Sequence, residues 1–370
     1  MKRWPSFDPP EYVSWTPLPD VMQEYRDCIE KNPERRMRVT DLTSEQHLGL
    51  YRGMLRNRLF DTMLKRWTRR GVVSKAWLGT GEEAVTIGAV HALRRGDVVG
   101  PMIRNAGAYH ERGLQLTDMF KTYLGRKDSP TEGRDLHLGS MGHGVVAPIS
   151  MVGSLVPVCA GIALAFKIRG QDHVVLSWAG DGTTRCTDFH EGLMSARMLK
   201  VPLIVIVQDN QIAMGTTHSI HSCAPLEDSG AIYGLPSTVC DGNNILDVYS
   251  AVVLAAEKCR EGQGPVILTA KTFRMGGHAT HDEGDSRDIL PPDLFDYWGK
   301  RDPIGMYESY LAGADFRLSE KVTNPELLEQ LEAEVIGEVE SAADEALAGR
   351  GQNMPDPATQ SLGVYGPTGS

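Results

Sequence analysis

Two short polar clusters, Gly180-Asp181-Gly182 and Asp209-Asn210, each close an apolar run and are separated by about thirty residues. One carboxylate, one amide oxygen and a nearby backbone carbonyl form a hard oxygen donor set. It is too small to enclose a magnesium ion alone, but it suits Mg2+ that also takes oxygens from a diphosphate and keeps a water. Glycine on both sides of Asp181 lets the backbone approach a ligand, and the start of the helix expected next offers free N–H groups to phosphate. The stretch predicts a diphosphate–magnesium site.

The elements that must hold these groups follow from pattern. Val174–Trp178 and Leu203–Val207 are short and mostly β-branched or large, as in strands buried on both faces of a parallel sheet. Between them Phe189, Leu193, Ala196 and Leu199 recur at helical spacing, and Lys200 precedes the Pro that ends the helix. A strand–helix–strand crossover is right-handed and parallel in nearly all cases, so both clusters are placed at the carboxyl edge of the sheet, where open α/β sheets bind ligands.

Bulk properties exclude other classes. The chain has 370 residues, enough for one large domain or two ordinary ones, and a formal charge of −10, which argues against nucleic acid as a general partner. No apolar run reaches the length of a membrane span, and the N-terminus carries two charges without an apolar h-region, so a cytoplasmic protein is expected. Cys28, Cys159, Cys186, Cys223, Cys240 and Cys259 form no CxxC pair, which predicts reduced thiols and neither a disulfide framework nor a zinc site.

The segments GDGTT, DFHEGL and DNQIAM together resemble the thiamin diphosphate motif of the alpha subunit of the decarboxylating component of 2-oxo acid dehydrogenase complexes. The resemblance implies thiamin diphosphate and Mg2+ as cofactors, with Asp181 and Asn210 ligating the ion by side chain and Ile212 by its carbonyl. It implies cofactor contacts from Gly180, Gly182 and Thr183 as well. Farther along, Thr272–Arg287 resembles the family's Tyr-Arg-x-x-Gly-His-Ser loop, which puts Arg274 on the Arg and His278 on the His beside the diphosphate and the reacting centre. By that analogy His278 is the catalytic residue that orients or protonates intermediates. Ala279 stands where mitochondrial members carry a phosphorylated Ser, so that switch is expected to be absent.

Upstream, Arg104 matches the Arg of a Tyr-Arg pair that contacts the cofactor's phosphates, with Ile103 in place of the Tyr. The turn carrying Ser150 and Val152 resembles the family's segment that grips the aminopyrimidine ring, with Leu155 where that family commonly has a Gln. Val145–Lys167 is expected to change from a strand into an almost wholly apolar, buried helix. Gly81-Glu-Glu-Ala84 resembles a helix start in the family, with Glu83 structural near a subunit contact. The same stretch, as Gly79-x-Gly81-x-x-Ala84, imitates a dinucleotide fingerprint, and a nicotinamide oxidoreductase is the rival reading. His137 and His143 read as loop histidines, and His218-x-x-His221 has no third ligand in sequence.

The fold expected is α/β, a three-layer thiamin diphosphate-binding fold with a mostly parallel sheet and helices on both faces. The organisation expected is an N-terminal arm at 1–43, a diphosphate-binding domain at 44–320, and a C-terminal helix and extended tail at 321–370. The resemblance covers about residues 45–350. Its implied function is decarboxylation of a 2-oxo acid, branched-chain or pyruvate, with transfer of the acyl group to a lipoyl carrier. In the family's single-chain relatives the acid that protonates the pyrimidine belongs to a second domain of the same fold, for which a chain with one cofactor motif and a short tail is expected to have little room. The implied partner is therefore a beta subunit, in an assembly of two alpha and two beta chains, with a lipoyl-bearing acyltransferase beyond it. An acetoin dehydrogenase alpha subunit shares this architecture. A divergent, non-catalytic subunit is the further alternative, because Arg185 and Cys186 replace a usual Ser-Glu.

Overall fold

A computed structural model describes residues 2–3, 13–359 and 361. Parts of the expected arm (residues 1 and 4–12) and tail (residues 360 and 362–370) lie outside the described residues. One five-stranded sheet organises the chain: β1 (Val98–Gly100), β2 (Val175–Gly180), β3 (Leu203–Asp209), β4 (Ser237–Asp241) and β5 (Val266–Lys271), in the order β1-β2-β3-β5-β4. Every neighbouring pair is parallel.

Side chains of the central strands alternate between two cores. Leu176, Trp178, Ile204, Ile206 and Leu268 enter one, while Val175, Ala179, Val205, Val207 and Ile267 enter the other. This period of two makes both faces apolar, so both faces need helices. The first core is covered by helices Ser44–Arg69, Glu83–His91 and Ile245–Arg260; the second by Leu155–Ile168 and Thr187–Leu199. The expected three-layer α/β architecture is therefore present.

Local sequence sets the helix ends. Thr43 and Gln46 form a reciprocal capping box at Ser44, and Asn244 caps Ile245–Arg260 by accepting from Leu246 and Asp247 N–H. The long helix Asn324–Leu347 is capped by Thr323 with Glu326. Asn324 is used inward: its Nδ2 donates to the carbonyls of Leu311 and Phe316, and its Oδ1 accepts from Leu318 N.

Within the expected arm, Pro19–Glu30 and Pro33–Thr40 are helical, and Val21, Tyr25 and Ile29 bury one stripe in the main core. Arg35 fixes the second helix, donating to Asp247 Oδ1 at 2.5 Å and to the Val239 carbonyl at 2.7 Å. In the tail, Arg350–Gln352 and Pro357–Thr359 are 3-10 turns where an extended run was expected, and Lys127 N donates to the Asn353 carbonyl at 2.7 Å.

One expectation fails. The apolar helix Leu155–Ile168 is buried along Leu155, Val156, Cys159 and Ala163, but Val158 and Ile168 are 42% and 76% exposed. The neighbouring helix adds Met198 at 75% and Leu199 at 45%, the latter expected in its buried stripe. Among the described residues nothing covers Val158, Ile168, Met198 or Leu199, so this outer stripe stays bare although its residues are apolar.

Candidate functional site

Register places the two motif ends side by side. Ala179 pairs with Val207 and Gly180 with Gln208, so Asp181 leaves β2 next to the point where Asp209 and Asn210 leave β3. The strands run farther than the apolar pattern indicated, through Gly180 and Asp209. Beyond Gly180 the chain makes a 3-10 turn, Asp181–Arg185, and the helix begins only at Thr187. The N–H groups nearest the motif thus belong to that turn, which replaces the helix start expected there. Gly182 is tightly enclosed: a Cβ there would lie 2.6 Å from Ala213 Cβ.

The donor set fits a hard divalent ion. Asp181 is 2% exposed; its Oδ1 accepts from Gly182 N at 2.8 Å and its Oδ2 faces His221 Nε2 at 3.2 Å. Asn210 is fully buried and donates through Nδ2 to Glu82 Oε1 at 3.0 Å. That bond turns Oδ1 the other way, where among the described residues it meets only Ile212 N, at 3.4 Å. The Ile212 carbonyl accepts from Arg274 at 3.3 Å and keeps a second lone pair. Among the described residues no cluster of three His, Cys, Asp or Glu could hold a metal, and a set of one carboxylate, one amide and one carbonyl is not such a cluster.

Glu82 was not singled out in the sequence, yet it joins these groups. Its Oε1 also accepts from Gln208 Nε2 at 2.9 Å, and its Oε2 faces Arg104 Nε at 3.4 Å. Gln208 in turn accepts from Asn105 Nδ2 at 2.9 Å, and Asn105 donates to Thr86 Oγ1 at 2.7 Å. Arg104 NH2 is 3.8 Å from where a Cβ on Gly180 would sit, so the guanidinium overhangs the motif. The terminal nitrogens of Arg104 have no hydrogen-bond partner among the described residues.

Arg274 and His278 come to the same edge. Arg274 is 1% exposed and donates to the carbonyls of Ile212, Met214 and Gly276. Burial, and then Arg104, bring its pKa down to about 10. Burial also depresses the His278 imidazole to about 4, with Arg104 and Arg274 next in importance, so this side chain is neutral at pH 7. The loop's course is fixed by distant partners: Met275 N donates to the Thr80 carbonyl, and Ala76 and Thr280 exchange two hydrogen bonds. Phe273, Met275, Leu290 and Ile212 form a small core behind it.

Ser150 and Val152 sit on the exposed rim, Val152 at 57%. Their turn abuts the motif, since a Cβ on Gly153 would be 3.1 Å from Cys186 Cβ. Ser150 Oγ is 3.0 Å from His137 Nε2, and His137 Nδ1 is 2.8 Å from Asp135 Oδ1. His137 is thus tied to the rim and is more than a loop histidine.

Other readings resolve locally. Residues before Gly79 form no strand, so the dinucleotide fingerprint lacks its first element. Its glycines serve close chain contact: a Cβ on Gly79 would be 2.4 Å from the Arg104 carbonyl, and one on Gly81 2.5 Å from that of Phe273. Glu83 is wholly buried inside this chain, paired with Arg58, rather than at an outer face. All six cysteines are free. Among the described residues no helix is long and apolar enough to cross a membrane.

Comparison with known proteins shows the family. A family model described as "Dehydrogenase E1 component" matches residues 51–354. The 2-oxoisovalerate dehydrogenase subunit alpha of Bacillus subtilis (strain 168) is 29% identical over 89% of this chain and 98% of its own length. The 3-methyl-2-oxobutanoate dehydrogenase subunit alpha of Mycobacterium tuberculosis (strain ATCC 25618 / H37Rv) is 32% identical over 76% of each chain. The pyruvate dehydrogenase E1 component subunit alpha of Acholeplasma laidlawii is 29% identical over 80% of this chain and 83% of its own. With the family matched over most of its length and the motif residues gathered at one sheet edge, the chain belongs to the dehydrogenase E1 component family.

Proposed function

We propose that this chain is the alpha subunit of a thiamin diphosphate-dependent 2-oxo acid dehydrogenase, acting on a branched-chain 2-oxo acid or pyruvate and passing the acyl group to a lipoyl carrier. Both substrate classes stand among the relatives' names. The observation that carries the reading is the meeting of Asp181, Asn210, Arg104, Arg274 and His278 at the carboxyl ends of β2, β3 and β5.

Asp181, Asn210 and the Ile212 carbonyl would hold Mg2+, and Gly180, Gly182 and Thr183 would let the diphosphate lie against the 3-10 turn. Bound there, thiamin diphosphate supplies the carbanion chemistry of decarboxylation. Arg104, whose terminal nitrogens have no other hydrogen-bond partner among the described residues, would bring them to the phosphates. Arg274 braces the carbonyls of Ile212 and Met214 and adds positive charge behind them. His278, neutral at working pH, can accept a proton at whichever ring nitrogen lacks one without first being discharged, and can return that proton afterwards as the imidazolium. Ser150 and Val152 would hold the pyrimidine end at the rim, with His137 fixing the Ser150 hydroxyl.

The bare apolar stripe at Val158, Ile168 and Met198 supports assembly with a beta subunit, in the two-alpha, two-beta arrangement, with a lipoyl-bearing acyltransferase beyond. The cytoplasm is the proposed compartment. The reading is tested by decarboxylation of pyruvate and of 3-methyl-2-oxobutanoate with an artificial electron acceptor. Turnover is expected only when the chain is assembled with its beta subunit and given thiamin diphosphate and Mg2+. Turnover by this chain alone, or none by the assembled pair with either acid, contradicts it.

A further inference from the structure

We propose that Glu82 is the positioning residue that couples the ion site to the phosphate-facing arginine, an inference that rests on the thiamin diphosphate–Mg2+ reading above. Glu82 is 1% exposed and sits immediately before helix Glu83–His91, far in sequence from the motif it serves. A carboxylate in such a place is costly unless its oxygens are fully used. Oε1 accepts from two amides, Asn210 Nδ2 at 3.0 Å and Gln208 Nε2 at 2.9 Å, and Oε2 faces Arg104 Nε at 3.4 Å.

The consequence for Asn210 is orientation. An amide in a buried pocket can present either its oxygen or its nitrogen to a cation, and only the oxygen ligates. Because Glu82 takes the nitrogen, Oδ1 is left with a single 3.4 Å contact to Ile212 N and faces away from the carboxylate. Gln208 cannot substitute for this control, since its own Oε1 is held by Asn105. The consequence for Arg104 is placement: anchored through Nε, it keeps its terminal nitrogens over Gly180, free of other hydrogen-bond partners among the described residues. One carboxylate therefore sets the metal amide with one oxygen and the arginine with the other.

Isothermal calorimetry of Mg2+ binding at saturating thiamin diphosphate, on the chain assembled with its beta subunit, tests the proposal without relying on turnover. Glu82→Leu removes both acceptors and is expected to weaken Mg2+ about tenfold to a hundredfold, the usual cost of losing a group that orients a ligand. Glu82→Gln keeps an acceptor for Asn210 and is expected to stay within about threefold. In an Asn210→Ala background, Glu82→Leu should add less than about threefold, because a residue acting through Asn210 has nothing left to act on.

Effects of Glu82→Leu and Asn210→Ala that simply multiply would overturn the proposal. So would a Glu82→Gln loss as large as that of Glu82→Leu. Should the two amides left unpaired by Glu82→Leu prevent assembly, the volume-conserving Glu82→Gln decides alone, and a loss beyond tenfold rejects the role. A wild-type complex that shows no Mg2+-dependent thiamin diphosphate binding brings down the site reading itself, a result separable from any change confined to the variants.

Discussion

Nε2 of His221 lies 3.2 Å from Oδ2 of Asp181, so the carboxylate expected on the ion is held from both sides, by this imidazole and by Gly182 N at 2.8 Å. His218 repeats the arrangement one turn away, with Nδ1 3.1 Å from Asp209 Oδ1, and the two rings stack at 5.4 Å. His221→Ala should therefore leave Asp181 free to rotate and weaken Mg2+ about tenfold, whereas Asp181→Asn removes the charge itself and should cost more. Calorimetry on the assembled complex checks the order; equal losses would show that His221 does more than orient.

A buried charge cluster of Arg58, Glu83 and Asp302 makes a stability prediction. Arg58 meets Glu83 with two nitrogens, one of them at 3.0 Å, and Asp302 at 3.0 Å, with all three side chains at most 8% exposed. Glu83→Ala leaves Arg58 with one uncompensated half of its charge field and is expected to cost roughly 3–5 kcal/mol, read by urea unfolding of the chain. A loss below about 1 kcal/mol would mean that Asp302 alone neutralises the arginine.

Neutral His278 makes a spectroscopic prediction. With its pKa near 4, its ring protons should move by no more than about a tenth of a full titration shift between pH 5 and 8 in an NMR titration of the cofactor-free chain. Burial is the largest cause and Arg104 the next, so Arg104→Met should raise the midpoint without restoring an ordinary histidine value. A midpoint near 6.5 in the wild type would remove the argument that this group works as a neutral base.

Asp241 gives a pH dependence with a definite sign. Burial, with Asp247 adding repulsion, lifts its carboxyl to about 6 from 3.8, while Asn243 N donates to it at 2.9 Å. A carboxyl raised on folding favours the native state below the unfolded value and loses that contribution as pH rises through the folded one. Asp241→Asn keeps the hydrogen bond and avoids the charge. Its melting temperature should match wild type near pH 4, gain on it between pH 4 and 6, and hold a constant advantage above. A variant that instead loses ground as pH rises would assign the shift to another group.

What the sequence made legible was whatever depends on near neighbours. The β2–helix–β3 crossover and the placement of Asp181 beside the Asn210 turn both follow from apolar period and parallel pairing. Contacts that join distant segments were not legible. Glu82 lies over a hundred residues before Asn210, and only the packing of helix Glu83–His91 against the sheet brings them within a hydrogen bond. His218-x-x-His221 was visible as a pair, but its partners are the two motif aspartates rather than a third ligand of its own kind. The bare outer stripe of Leu155–Ile168 was misread for a related reason: apolarity announces burial, and says nothing of whether this chain or another provides the cover.

The most direct test is a crystal structure of the chain assembled with its beta subunit, grown with thiamin diphosphate and Mn2+ in place of Mg2+ and phased for the anomalous signal of the ion. The prediction is one peak about 2.1–2.2 Å from an Asp181 carboxylate oxygen, Asn210 Oδ1 and the Ile212 carbonyl, with diphosphate oxygens and a water completing the shell. A peak elsewhere, or a bound cofactor with Asn210 presenting its nitrogen to the ion, would contradict the account.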